Sequence, residues 1–154
     1  MQRDGLLEAH VFPRLLAITS SGVGGGSHVY TNIQAQPEDE YFGEFLPEIT
    51  ASEMRPHYEA VRAMLRPAQA PQLPQRTDAF ARAVAAAGLG AVEYPDLAMV
   101  FGADGHAPSP VVNAAGVMQR TSTYSGTEIL GCQDRSKTTL DLTYLPVALR
   151  QNYL

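Results

Sequence analysis

Residues 22–30 read GVGGGSHVY, with four glycines in the first five positions, then a serine and residues that favour extended backbone. Glycine loses more conformational freedom on folding than any other residue. Such a cluster therefore implies a backbone that turns through positive φ or that something approaches closely. Residues 14–21, RLLAITSS, alternate well enough for a short strand, so the glycines form a strand-to-turn junction. Two phosphate loops can be tested by spacing. A Walker loop needs GxxxxGK[ST], and the only lysine, Lys137, is far away. The dinucleotide fingerprint GxGxxG fits Gly22 and Gly24 but meets Ser27 where its third glycine belongs. Two readings remain: a loop whose bare N–H groups meet a flat or anionic ligand, and a glycine-rich surface turn.

Working outward, residues 27–33 (SHVYTNI) read as a strand, with the start of a short helix as the alternative, and residues 37–49 (PEDEYFGEFLPEI) as a short helix bounded by Pro47. The clearest helix spans residues 52–66. Thr50 or Ser52 can cap it, Thr50 and Glu53 have capping-box spacing, and Met54, Tyr58, Val61 and Leu65 recur at helical intervals. Pro56 is compatible with a helix only in the first turn. Pro67, Pro71 and Pro74 make 67–74 an extended connector. A second helix is expected over 77–87, capped by Thr77 and stopped by Gly88, with short strands at 91–95 and 97–101. Residues 102–127 show no sustained period and read as one long loop, and Thr143 can cap a terminal helix with Pro146 in its first turn. The fold class is α/β in the mixed α+β sense, with short strands, three or four helices and long loops.

The 154 residues are enough for a core, and 45% hydrophobic content is ordinary for a globular chain. A formal charge of −5 with scattered basic residues argues against a nucleic-acid partner. The longest nearly apolar stretch, 79–92, is broken by Arg82 and too short to span a bilayer. The opening MQRDGLLEAH lacks the apolar run of an export signal. His10, His28, His57 and His106 form no paired metal motif, so no metal site is expected. Ser27 lacks the trailing glycine of a nucleophile elbow. Cys132, the single cysteine, reads as a small buried hydrophobe, and Lys137 with Asp141 as a solvated pair one helical turn apart.

Three collinear blocks carry a resemblance. GVGGGSHVYTN resembles the glycine loop that lies against the flavin in the glucose-methanol-choline oxidoreductase family. Residues 41–65, YFGEFLPEITASEMRPHYEAVRAML, are similar to the segment after that loop in the cholesterol-oxidase-like branch. Residues 131–149, GCQDRSKTTLDLTYLPVAL, resemble the family's GCxxG[AS]KxTLDxxYL stretch. Together the blocks place the resemblance across residues 5–149.

The resemblance implies a partial FAD-binding oxidoreductase fold and FAD-dependent oxidation of an alcohol or sterol. Residues 1–36 would be a flavin-proximal segment, 37–127 part of a substrate-side domain, and 128–154 a return to the FAD-binding domain. Gly24, Gly25, Gly26 and Ser27 would shape the cofactor site, with Tyr30, Asn32 and Ile33 along the flavin. The family's ADP-binding GxGxxG and catalytic histidine have no counterpart here, so no catalytic residue is assigned. The chain would correspond to an internal section of a longer protein, with Met1 a start codon reached inside the reading frame. Arg135 stands where the family has glycine, which implies a strained or reshaped turn before Lys137. The alternative is a non-catalytic remnant or subunit that associates with another chain through apolar faces at Phe42, Phe45, Leu46 and the Met54 helix.

Overall fold

The computed structural model describes residues 7–103 and 107–151, so His106 lies outside the described residues. Strands β1 (Leu7–Phe12) and β2 (Leu15–Ser20) pair antiparallel from Leu7↔Ser20 to Phe12↔Leu15, joined by a turn at Pro13 and Arg14. Proline presets the backbone angle such a turn needs. Among the described residues neither face of this hairpin is covered: Val11, Leu15, Leu16 and Ile18 stay half or more exposed.

Short 3-10 helices occupy Gly25–His28 and Asp39–Glu44. The first follows the turn made by left-handed Gly24 and Gly25 and overlaps the start of the strand expected over 27–33, of which only an isolated bridge at Ile33 forms. The second matches the short helix expected before Pro47. Phe42 is buried against the rings of Tyr41, Phe45 and Tyr58, whereas Phe45 and Leu46 remain exposed.

Helix α1 (Ala51–Leu65) starts at a complete capping box: Thr50 Oγ1 accepts from Glu53 N–H, and Glu53 Oε2 accepts from Thr50 N–H. Pro56 sits in its second turn rather than its first. The proline forgoes a bond to the Ser52 carbonyl, and both residues are exposed, so water can serve that oxygen. Left-handed Arg66 (φ 47°) ends the helix, and Arg62 ties it to Asp96 at 2.7 Å. After the proline connector, helix α2 (Gln75–Ala86) begins directly behind Pro74, so Thr77 lies within its first turn and is not its cap. Gly88 at φ 68° turns the chain out of α2, as its position suggests.

The expected strand at 91–95 is absent, and 97–101 contributes isolated bridges only: Leu97 to Ile33 and Ala68, and Met99 to Lys137. Within the expected long loop the chain forms a small hairpin, β3 (Pro110–Val112) with β4 (Met118–Arg120). Asn113 organises its turn: Oδ1 accepts from the Ala115 and Val117 N–H groups, while Nδ2 donates to Gln119 Oε1 and the Leu142 carbonyl. Three-residue strands are too short to show a period, so side-chain bonding rather than pattern defines this hairpin.

Further 3-10 turns at Glu128–Leu130 and Leu140–Leu142 lead to helix α3 (Tyr144–Arg150). Thr143 occupies the N-cap position, yet its hydroxyl donates to the Thr139 carbonyl and makes no cap bond. The architecture is mixed α+β. Its centre is assembled from residues 32–34, 96–100, 119–123 and 136–143, where nine polar and three apolar residues are buried among the described residues. No helix of the described residues is long and apolar enough to cross a membrane.

Candidate functional site

The glycine turn is held from inside and from behind. Gly25 N–H donates to Gly22 O, Ser27 N–H to Gly24 O, and the Val29 and Tyr30 amides both reach Gly26 O. These amides are therefore committed to the turn. Ser27 Oγ donates to Gly24 O at 2.7 Å and accepts from Leu140 N–H at 3.1 Å, joining the turn to a segment over a hundred residues away. His28 Nε2 lies 2.7 Å from Val23 O, so that nitrogen carries the proton, and 3.4 Å from Asp141 Oδ1.

The three central glycines differ in what surrounds them. A Cβ on Gly24 would meet His28 Nε2 at 2.7 Å and Asp141 Oδ1 at 3.1 Å, and its φ is 100°. Gly24 is thus required by the chain's own packing. A Cβ on Gly25 or Gly26 would meet nothing within 4 Å, which leaves an open backbone face at these two residues. Gly25 also has φ 53°, so a branched residue there would be strained even without a ligand.

Lys137 lies behind the turn and is not solvated. It is 1% exposed, and its ammonium donates to the carbonyls of His28 at 3.1 Å, Tyr30, and Glu128 at 3.0 Å. The Tyr30 ring centroid lies 4.5 Å from Nζ, within cation–π range. Burial lowers the Lys137 pKa, opposed by nearby Cys132 and Glu128. The pair expected with Asp141 does not form, because Lys137 precedes the turn that carries Asp141 and points inward, while Asp141 faces His28.

The turn 132–137 that delivers Lys137 is built on Asp134. Its carboxylate accepts from the Thr123 N–H and hydroxyl, the Ser136 N–H and hydroxyl, and the Cys132 thiol. Burial by itself would raise this carboxyl, but the hydrogen bonds outweigh it and hold the pKa at about 2. Cys132 is buried and its thiol pKa is pushed up, chiefly by burial, a state unsuited to a nucleophile. Cys132 (φ 40°) and Arg135 (φ 58°) are both left-handed. Arg135 thus occupies the left-handed conformation that glycine adopts most readily, at a position where the resemblance has glycine.

A cleft of about 550 Å3 opens beside this assembly, between the proline connector and residues 122–129. Its walls include Ile33, Leu73, Leu97, Met99, Phe101 and Ile129, with Arg76 and Glu128 among its polar groups. That size falls in the range of small-molecule sites, about 300–1,000 Å3. The residues expected along a flavin are distributed between two places. Asn32 and Ile33 line the cleft, while Gly24, Gly25, Gly26 and Ser27 form the turn outside its walls. Tyr30 lies between, its ring beside Lys137 and its hydroxyl accepting from Gln34. Asn32 is buried with φ 56°, and its carbonyl accepts from Ala98 N–H. Sequence reading missed Lys137 as a site residue. The available signal was a lone lysine within a run of small hydroxylated residues, RSKTT. No cluster of side chains able to hold a metal ion occurs among the described residues.

No family model matches the chain. It is 27% identical to the cholesterol oxidases of Mycobacterium tuberculosis strains CDC 1551 / Oshkosh and ATCC 25618 / H37Rv, in alignments covering 94% of this chain and 27% of each relative. The chain thus spans about a quarter of the length of the relatives it matches.

Proposed function

We propose that this chain is the flavin-facing part of an FAD-dependent oxidoreductase of the glucose-methanol-choline type, acting on CH–OH groups of alcohols, sterols among them. In this reading 1–36 is the flavin-proximal segment, 37–127 belongs to a substrate-side domain and 128–154 returns to the FAD-binding domain. The ADP-binding motif and catalytic histidine would come from further polypeptide. One observation carries the proposal. Two of the blocks that resemble the family, 22–32 and 131–149, meet through Ser27 and Leu140, His28 and Asp141, and Lys137 with the His28 and Tyr30 carbonyls. Where they meet, the backbone face at Gly25 and Gly26 stays open. The similarity to cholesterol oxidase, running almost the length of the chain, supports the same reading.

The residues fit a flat ring by shape rather than by a ring of donors. Gly25 and Gly26 offer backbone without Cβ, whereas the Gly25 and Ser27 amides are spent inside the turn. When bound, a flavin supplies the acceptor for the hydride that leaves an alcohol carbon. This chain's own contribution is to shape the contact at Gly25 and Gly26 and to hold Asn32 and Ile33 at the cleft wall. The largely apolar cleft would exclude water from an alcohol beside it.

The test is flavin content. The purified chain is expected to be colourless, because most FAD affinity resides in a nucleotide-binding unit that these residues do not form. A longer polypeptide, with an in-frame upstream GxGxxG recovered from the flanking DNA, is expected to be yellow and to lose its flavin on Gly25→Val. Stoichiometric flavin in the short chain would overturn the fragment assignment, and full flavin content in the Gly25→Val protein would overturn the loop assignment. A second reading, a non-catalytic subunit docking on another chain, draws support from exposed Phe45, Leu46 and the β1–β2 hairpin. A stable complex with no flavin in either partner would favour it.

A further inference from the structure

The glycine turn and the cleft share a fastening that neither catalysis nor metal binding explains. Lys137 is the only lysine of the chain. An ammonium has three donor hydrogens, and three backbone carbonyls receive them: His28 and Tyr30, which bracket the exit of the glycine turn, and Glu128, whose residue lines the cleft. The lysine backbone is itself anchored, its N–H on Cys132 Sγ and its carbonyl on Gln119 Nε2. A buried charge without a directly bonded carboxylate is costly unless dipoles compensate it. Here three carbonyl dipoles and the Tyr30 ring do so. A side chain needed only to fill volume would not require an ammonium.

We propose that Lys137 is a positioning residue: its ammonium locks the His28, Tyr30 and Glu128 carbonyls together and so fixes the glycine turn relative to the cleft wall. Because residues 24–27 lie outside the cleft and 31–33 inside it, this lock decides whether one flat ligand can touch both. The inference rests on the flavin-facing reading for its purpose, but its test contains no flavin.

Amide hydrogen exchange on the full chain reads the lock directly. In Lys137→Met, which keeps volume and removes charge, exchange at Val29 and Tyr30 is expected to rise at least about tenfold while α1 amides stay unchanged. Lys137→Ala is expected to behave likewise and to regain protection when propylammonium is added, but not with propanol. Should both variants fail to fold, the wild-type chain still decides, since acylation of its single lysine can be read apart from that of the α-amino terminus by peptide mapping. Acylation under native conditions is expected to be slow, to keep pace with Val29 and Tyr30 exchange as urea is raised, and to leave the turn loosened with α1 intact. Unchanged turn protection in Lys137→Met, equal rescue by propanol, or rapid native acylation without loosening of the turn would each overturn the proposal. A locked turn in a polypeptide that never binds flavin would instead overturn the functional reading alone.

Discussion

The centre of this chain and its first hairpin are stabilised by opposite means. In the centre, Gln119, Ser136, Lys137, Thr139 and Thr143 are buried, and hydrogen bonds carry the order: Gln119 bonds Asn113 and the Lys137 carbonyl, and Thr143 bonds Thr139. In β1–β2 the backbone ladder is complete, yet Val11 is 81% and Leu15 62% exposed. Apolar surface in the hairpin is left for something else to cover, whereas Gln119, Ser136, Lys137 and Thr143 find their partners within the chain. Directional bonds need their partners at defined positions, so the centre specifies one geometry. An uncovered apolar face specifies none until it is covered.

The largest expected effect tests the centre. Asn113→Ala removes four hydrogen bonds at once and leaves the Leu142 carbonyl without this donor. At about 1 kcal/mol per bond, a loss of about 2–4 kcal/mol is expected, read as a fall in the urea midpoint. A change below about 0.5 kcal/mol would mean that the interior network is not what orders the centre.

Asp134 sharpens the comparison through pH. Its folded pKa, about 2, lies below the ordinary 3.8, so the native chain binds fewer protons than the unfolded one between these values. Its contribution is therefore present above about pH 3.8 and lost as pH falls through about 2. Asp134→Asn is expected to cost about 1–3 kcal/mol near neutral pH, and the gap to the unaltered protein should close in acid. A gap that stays constant down to pH 2 would remove the carboxylate's charge from the account.

The smallest effect belongs to the hairpin. Val11→Ser is expected to change intrinsic stability by about 0.5 kcal/mol or less, since a cross-strand contact with Leu16 is the main loss. Sedimentation should show any self-association of the chain weakened by the same change. A destabilisation above about 2 kcal/mol would show that the hairpin face is covered within the folded chain.

Helix α1 was legible because its signals are local: Thr50 and Glu53 are three residues apart, and Arg66 followed by Pro67 ends it. The position of α2 was less so. Pro74 in extended backbone starts that helix two residues before Thr77, a choice made by one φ,ψ pair rather than by the stronger capping residue. The turn at Gly24 and Gly25 was likewise legible, since only a backbone needing positive φ gathers so many glycines. Why each glycine is there was not. The clash at Gly24 comes from His28 and Asp141, and the latter reaches it only through the fold.

By itself, the sequence determined the mixed composition of elements, the capped helix α1, the extended proline connector and the existence of a sharp glycine turn, all of which rest on interactions within a few residues. Tertiary structure alone decided that Lys137 is buried and that Asp141 pairs with His28. The carbonyls that receive the lysine at His28 and Tyr30 lie 109 and 107 residues away. No local pattern can report partners that meet only when distant segments have folded together.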